Sequence, residues 1–162
     1  MVRCYVALGA NLGEPIRIVQ AAIDALKSIE GAQFVVASSL YRTAPVGLVH
    51  QPDFINAVVA LDLDIAVLPA PTWLQQLFAI EARFGRQRSV KNAPRTLDLD
   101  LLLYGDLASD APACTLPHPR LHERAFVLAP LHEIAPDLMI PGRGAVTALL
   151  AACADQQVER LQ

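Results

Sequence analysis

Apolar and polar positions along the chain switch between a period near two and a period near 3.6, and the switches outline the elements. Residues 3–8 (RCYVAL) predict a strand ending in the turn 9–13 (GANLG). Glu14-Pro15 opens a helix, since proline fits a first turn. Ile16, Val19, Ile23, Leu26 and Ile29 form its apolar face, and Gly31 is a plausible stop. Residues 33–41 (QFVVASSLY) and 54–63 (FINAVVALDL) predict the next two strands. Between them, RTAPVGLVHQPD is a twelve-residue loop, a length that in a compact domain usually marks function or disorder. A second helix has Thr72 as N-cap, Gln75 completing a capping box, Trp73, Leu77, Ile80 and Phe84 as its face, and Gly85 at its C-cap. A strand follows near 97–104; 116–131 mixes short strand and turn with several prolines; and 145–153 (AVTALLAAC) closes as a helix. The order β-α-β-β-α-β fits an α+β, ferredoxin-like sandwich, with helices packed on one face of a mainly antiparallel sheet.

A chain of 162 residues is expected to form one domain, 1–162, and it needs no disulfide or structural metal to fold. No run of 18 apolar residues lacks a charge, so no membrane partner is expected, and the first residues resemble a strand more than a signal peptide. Cys4, Cys114 and Cys153 are scattered without a CxxC pair, which points to a reducing, cytoplasmic setting. A net charge of −3 argues against a nucleic-acid partner.

The strand RTLDLDLLLYG, residues 95–105, carries the chemistry. Asp98 and Asp100 fall on one strand face, about 6.5–7 Å apart along the chain. Leu102 and Tyr104 are expected on that face, with Leu97, Leu99, Leu101 and Leu103 on the other. Two such charges repel by roughly 2.5 kcal/mol at an effective dielectric of about 20. A divalent cation turns that repulsion into attraction, and Mg²⁺ suits one or two carboxylates plus substrate phosphates. Upstream, RFGRQRSVKNAPR holds Arg83, Arg86, Arg88, Lys91 and Arg95 and no acid. Arginine forks match phosphate oxygens, so the pair of segments suits a Mg-polyphosphate. Asp62 and Asp64 share the Asp-x-Asp spacing but stand at a strand end, as solvated residues. The turn 9–13 lacks the Gly-Lys-Ser/Thr of a phosphate loop; His118 and His122 have metal-like i, i+4 spacing, but Pro119 lies between them and no third ligand is obvious, so zinc is disfavoured. His118, held between Pro117 and Pro119, is a candidate phosphate contact. Phe54 and Asn56 on one side of the third strand suit a flat heteroaromatic ring.

Four stretches, YVALGANLG, SSLYRTAPVG…QPDFINAVV, APRTLDLDLLLYG and LPHPRLHERAFVLAPLHEIAP, occur in this order over nearly the whole chain. Together they resemble the hydroxymethyl-dihydropterin pyrophosphokinase family. The resemblance implies a transferase that moves the β,γ-diphosphate of ATP to the hydroxymethyl group of 6-hydroxymethyl-7,8-dihydropterin and releases AMP, in folate biosynthesis. It implies two Mg²⁺ ions on Asp98 and Asp100, with Arg86 and Arg95 also catalytic. His118 and Arg124 are implied near the phosphates, and Glu81, Arg88, Leu101 and Thr115 along the nucleotide. The pterin is implied between Phe54 and Phe126, its edge read by Asn56 and by the backbone of Thr43, Ala44, Pro45 and Val46. A monomer is expected. A small-molecule sensor of the same fold is the competing class; it has no need of a Mg-polyphosphate site.

Overall fold

The structure, a computed structural model, describes residues 1–45, 50–85 and 96–161. It is a mixed α/β architecture with an antiparallel sheet and, among the described residues, four α-helices. In chain order the main elements are β1 (Val2–Ala10), α1 (Pro15–Lys27), β2 (Ala32–Ala37), β3 (Tyr41–Thr43), β4 (Phe54–Leu63), α2 (Ala70–Arg83) and β5 (Asp98–Tyr104). A 3-10 turn (Leu121–Glu123) leads into α3 (Ala125–Ile134); then come the small ladder of β6 (Met139–Ile140) and β7 (Gly144–Ala145), α4 (Val146–Ala152) and β8 (Glu159–Arg160). The sheet runs β5-β1-β4-β3-β8, with β2 also paired to β4.

Alternation along β1 and β4 divides the interior into two cores. Val6, Leu8, Val59 and Leu61 point to the side covered by α1 and α2, where Trp73 and Leu77 are fully buried. Tyr5, Ala7, Val58 and Ala60 point to the opposite side, against Leu128 and Leu131 of α3 and Val146 of α4. Helices therefore cover both faces of the sheet, not one as expected. The difference lies in α3, which occupies part of the stretch expected to be strand and turn. Pro130 sits inside it, and a proline there reads as a helix breaker; here it is buried within the helix.

The strand register also departs from expectation. Pairing of β1 with β5 shifts between Tyr5–Leu103 and Val6–Leu101, so Leu102 is an extra residue, a β-bulge. Beyond the bulge the faces exchange. Leu102 and Leu103 both enter the α3 core, while Tyr104 turns to the α1/α2 side and donates its hydroxyl to the Leu68 carbonyl at 2.7 Å. Before it, Leu97, Leu99 and Leu101 are buried as expected, each contributing roughly 2 kcal/mol through lost water contact. That packing holds the Asp98–Asp100 segment.

Helix α2 starts at Ala70 with Pro69 in the cap position, and no side chain caps it. Pro71 is accommodated in the first turn, so Thr72 lies inside the helix, not at its N-cap. The C-terminal expectation holds: Gly85 has φ +79, a left-handed conformation that glycine adopts without strain. Asp62 is not merely solvated, since Arg3 Nε donates to its Oδ1 at 2.6 Å across β1 and β4. That bond holds the Asp62 carboxyl below its ordinary range.

Candidate functional site

On the α3 side of the sheet, the ends of β1, β4 and β5 open into a cavity of about 500 Å³, a size common for small-molecule sites. Its floor is a cross-strand row. Gly9 of β1 pairs with Asn56 of β4 on one side and with Asp98 of β5 on the other. Paired residues send their side chains to the same face, so the Asn56 amide and the Asp98 carboxylate stand on either side of a residue with no side chain. One step along, Asp100 pairs with Ala7. Both aspartates are half-buried and line the cavity.

The backbone between these carboxylates is tied down from below. β5 lies at the sheet edge, where outward N–H groups lack a strand partner. Glu81 of α2, 2 % exposed, accepts the Leu99 N–H at 2.7 Å on Oε2. Its carboxylate supports the strand and is not among the residues that line the cavity. Leu101 is likewise buried, and the Thr115 hydroxyl donates to the Ala111 carbonyl at 3.1 Å; neither lines the cavity.

The other end of the cavity is aromatic. Phe54 and Phe126, both half-buried, line it with Thr43, Ala44 and Pro45. Asn56 Nδ2 donates to Thr43 Oγ1 at 2.9 Å, which orients the amide. Buried Asn11 holds the chain just before Phe54, donating to Gln51 Oε1 at 2.8 Å and to the Pro52 carbonyl at 3.0 Å. The Arg124 guanidinium lies 5.5 Å from the Phe126 ring centre, within cation–π range.

His118 stands beside this cavity, not on its wall. Its N–H donates to the Leu102 carbonyl at 2.9 Å, and its Nδ1 accepts the Arg120 N–H at 3.2 Å. Burial, and then the nearby Arg124 charge, push its pKa down to about 4. The ring is therefore neutral at pH 7, with the hydrogen on Nε2, a donor without charge.

The structure thus gathers Asp98, Asp100, Arg124, Phe54, Phe126, Asn56, Thr43, Ala44 and Pro45 around one cavity. Val46, Arg86, Arg88 and Arg95 lie outside the described residues. Residues not anticipated as site residues also line it: Gly9, Arg120, Glu123 and the segment Gln156, Gln157, Val158. Arg120 stood within the LPHPRLHERAFVL stretch; the last three carry no pattern that marks them. No cluster of three or more His, Cys, Asp or Glu side chains able to hold a metal occurs among the described residues. Two adjacent carboxylates on an open face instead suit a hard cation that completes its shell with substrate oxygens and water, so the donor set fits Mg²⁺. No helix among the described residues is long and apolar enough to cross a membrane.

A family model described as 7,8-dihydro-6-hydroxymethylpterin-pyrophosphokinase (HPPK) matches residues 5–136, which leaves Gln156 to Val158 outside the matched span. The 2-amino-4-hydroxy-6-hydroxymethyldihydropteridine pyrophosphokinase of Pseudomonas aeruginosa is 46% identical over 159 residues, covering 98% of this chain and 96% of that protein. The Haemophilus influenzae protein of the same name is 38% identical over 161 residues, covering 99% of each. Among solved structures, wild-type Plasmodium falciparum HPPK-DHPS with SDX-DHP superposes with a TM-score of 0.70 at 12% identity, over 96% of this chain. The chain spans 44% of that longer one, and at this identity the likeness is one of fold.

Proposed function

The chain belongs to the 7,8-dihydro-6-hydroxymethylpterin-pyrophosphokinase family, and on that premise we propose how its residues divide the work. The reaction is pyrophosphoryl transfer from ATP to the hydroxymethyl group of 6-hydroxymethyl-7,8-dihydropterin, in folate synthesis. The O–Pβ bond forms, the Pα–O–Pβ linkage breaks on the β side, AMP leaves with the bridging oxygen, and the hydroxyl proton passes to solvent or base.

The row Asn56–Gly9–Asp98 is the single observation that carries the assignment. At its Asn56 end, Phe54 and Phe126 are assigned to hold the pterin ring between their faces. The Asn56 amide, oriented by Thr43 Oγ1, keeps its Oδ1 available to accept from the pterin edge, with Thr43 to Val46 beside it. At the Asp98 end, Asp98 and Asp100 are assigned to two Mg²⁺ ions, which when bound neutralise phosphate charge and acidify the attacking hydroxyl. Arg124, together with Arg86, Arg88 and Arg95, is assigned to the phosphate oxygens, and neutral His118 donates from Nε2. Gly9 leaves the gap between the halves open, so the acceptor hydroxyl and the β-phosphate can meet there. Transfer of this kind depends on positioning and charge neutralisation more than on covalent help.

Strands β1, β4 and β5, with β2 and β3 and helices α1 and α2, support a ferredoxin-like βαββαβ core to which α3, α4 and β8 are added. One domain, 1–162, acting as a monomer in the cytoplasm is part of the same proposal.

The division is tested by varying each substrate in turn. Phe126→Ala is expected to raise the pterin KM about tenfold with the ATP KM unchanged, and Asp100→Asn to lower kcat by at least about a hundredfold with little change in pterin affinity. Equal effects of Phe126→Ala on both KM values would overturn the aromatic assignment.

A further inference from the structure

Helix α3 begins directly on the cavity, and its first turn carries N–H groups with no partner inside the helix. Arg124, the residue in the cap position, provides no side-chain cap. Its backbone is extended, with φ −120 and ψ 107, so the carbonyl before it and the N–H after it point to the same side, as in a strand. The Gln156 amide meets both. Gln156 Oε1 accepts the Ala125 N–H at 2.9 Å, and Nε2 donates to the Glu123 carbonyl at 2.8 Å.

Gln156 is itself held at both ends. Its own N–H donates to the Cys153 carbonyl at 2.9 Å, at the end of α4. Three residues on, β8 pairs with β3, setting Glu159 opposite Arg42 and Arg160 opposite Tyr41, just short of Thr43. That ladder is anchored on Glu133 of α3, whose carboxylate accepts the Ser39 N–H at 3.0 Å, the Tyr41 hydroxyl at 2.7 Å and Arg160 Nη2 at 3.4 Å. The segment Gln156, Gln157, Val158 therefore runs as a strap from the start of α3 to β3 and lines the cavity.

We propose that Gln156 is a positioning residue for the acceptor substrate: its amide pins Arg124 in the extended conformation and so fixes where the Phe126 ring stands. This role rests on the assignment of the pterin to Phe54 and Phe126. A primary amide is required because it accepts and donates at once. Glutamate keeps the acceptor for Ala125 but has no hydrogen for Glu123, and methionine fills a similar volume with neither.

The test measures AMP release by Gln156→Met and Gln156→Glu with each substrate varied, alongside thermal unfolding. Gln156→Met is expected to raise the pterin KM about tenfold while the ATP KM changes by less than about twofold, and Gln156→Glu to fall between it and the parent. A pterin KM within about twofold of the parent in Gln156→Met, or equal rises for both substrates, overturns the role. Should Gln156→Met fail to fold, Gln156→Glu is judged by the same split at about threefold. Phe126→Ala is read in parallel. If it leaves the pterin KM unchanged, the acceptor assignment itself fails and the proposal with it. If Phe126→Ala raises that KM and Gln156→Met does not, only the positioning role fails.

Discussion

Asn56 and Asp98 face each other across Gly9, in one row over three strands. Two strand spacings separate them, about 10 Å. On the proposed division of roles, Asn56 at the pterin edge and Asp98 at the phosphates share a common floor, with the empty glycine position between them.

Gly9→Ala probes that gap. A Cβ there would lie 3.3 Å from Asn56 Oδ1, tight enough to displace the amide. Gly9 is not among the residues with positive φ, so alanine brings no backbone strain. The pterin KM is expected to rise about fivefold to tenfold, by roughly 1–1.4 kcal/mol, with an unchanged melting temperature. A parent-like KM in steady-state assays would show that the gap is not needed.

Glu81 provides a second probe, because its bond to Leu99 lies between the two aspartates. Glu81→Leu leaves that buried N–H without its carboxylate partner, at a cost of about 1–3 kcal/mol. Glu81→Gln retains an acceptor. Denaturant unfolding should therefore rank the leucine variant well below the glutamine one. Turnover should follow the same order, since the strand between Asp98 and Asp100 loosens. If both variants turn over equally, Glu81 does not position the pair.

Acid sensitivity follows from His118. Its ordinary pKa near 6.5 falls to about 4 in the fold, through burial and the Arg124 charge. Between those values the unfolded chain binds a proton that the native one refuses, so stability rises with pH through the window. The contribution is complete above about pH 6.5 and lost as pH falls through about 4; in full it amounts to about 3 kcal/mol. In metal-free buffer, His118→Asn, which keeps an acceptor for the Arg120 N–H, should lose less stability than the parent from pH 7 to pH 4. Parallel melting curves for the two proteins would contradict this.

Much of the scaffold is legible in the residues. β4 spans 54–63 as the apolar run implies, and α1 begins at Pro15 and buries Val19, Ile23 and Leu26. Asp98 and Asp100 stand out because leucines surround them. What escapes is set by long-range pairing. The bulge at Leu102 exists only in register with β1, so period-two alternation assigns Leu103 and Tyr104 to the wrong faces. α3 is hidden by Pro130, whose cost is offset by core packing that local pattern does not display. Gln156 is an exposed residue without periodicity, and its importance lies in two backbone groups more than thirty positions away.

The central claim is that Asp98 and Asp100 carry the metal on which transfer depends. It is tested most directly by AMP release from Mg-ATP and 6-hydroxymethyl-7,8-dihydropterin, comparing the parent protein with Asp98→Ala and Asp100→Ala. The parent should produce AMP and diphosphorylated pterin in equal amounts. Each variant should fall by at least about a thousandfold, roughly 4 kcal/mol in barrier, with circular dichroism unchanged. Parent-like AMP formation in either folded variant would contradict the assignment.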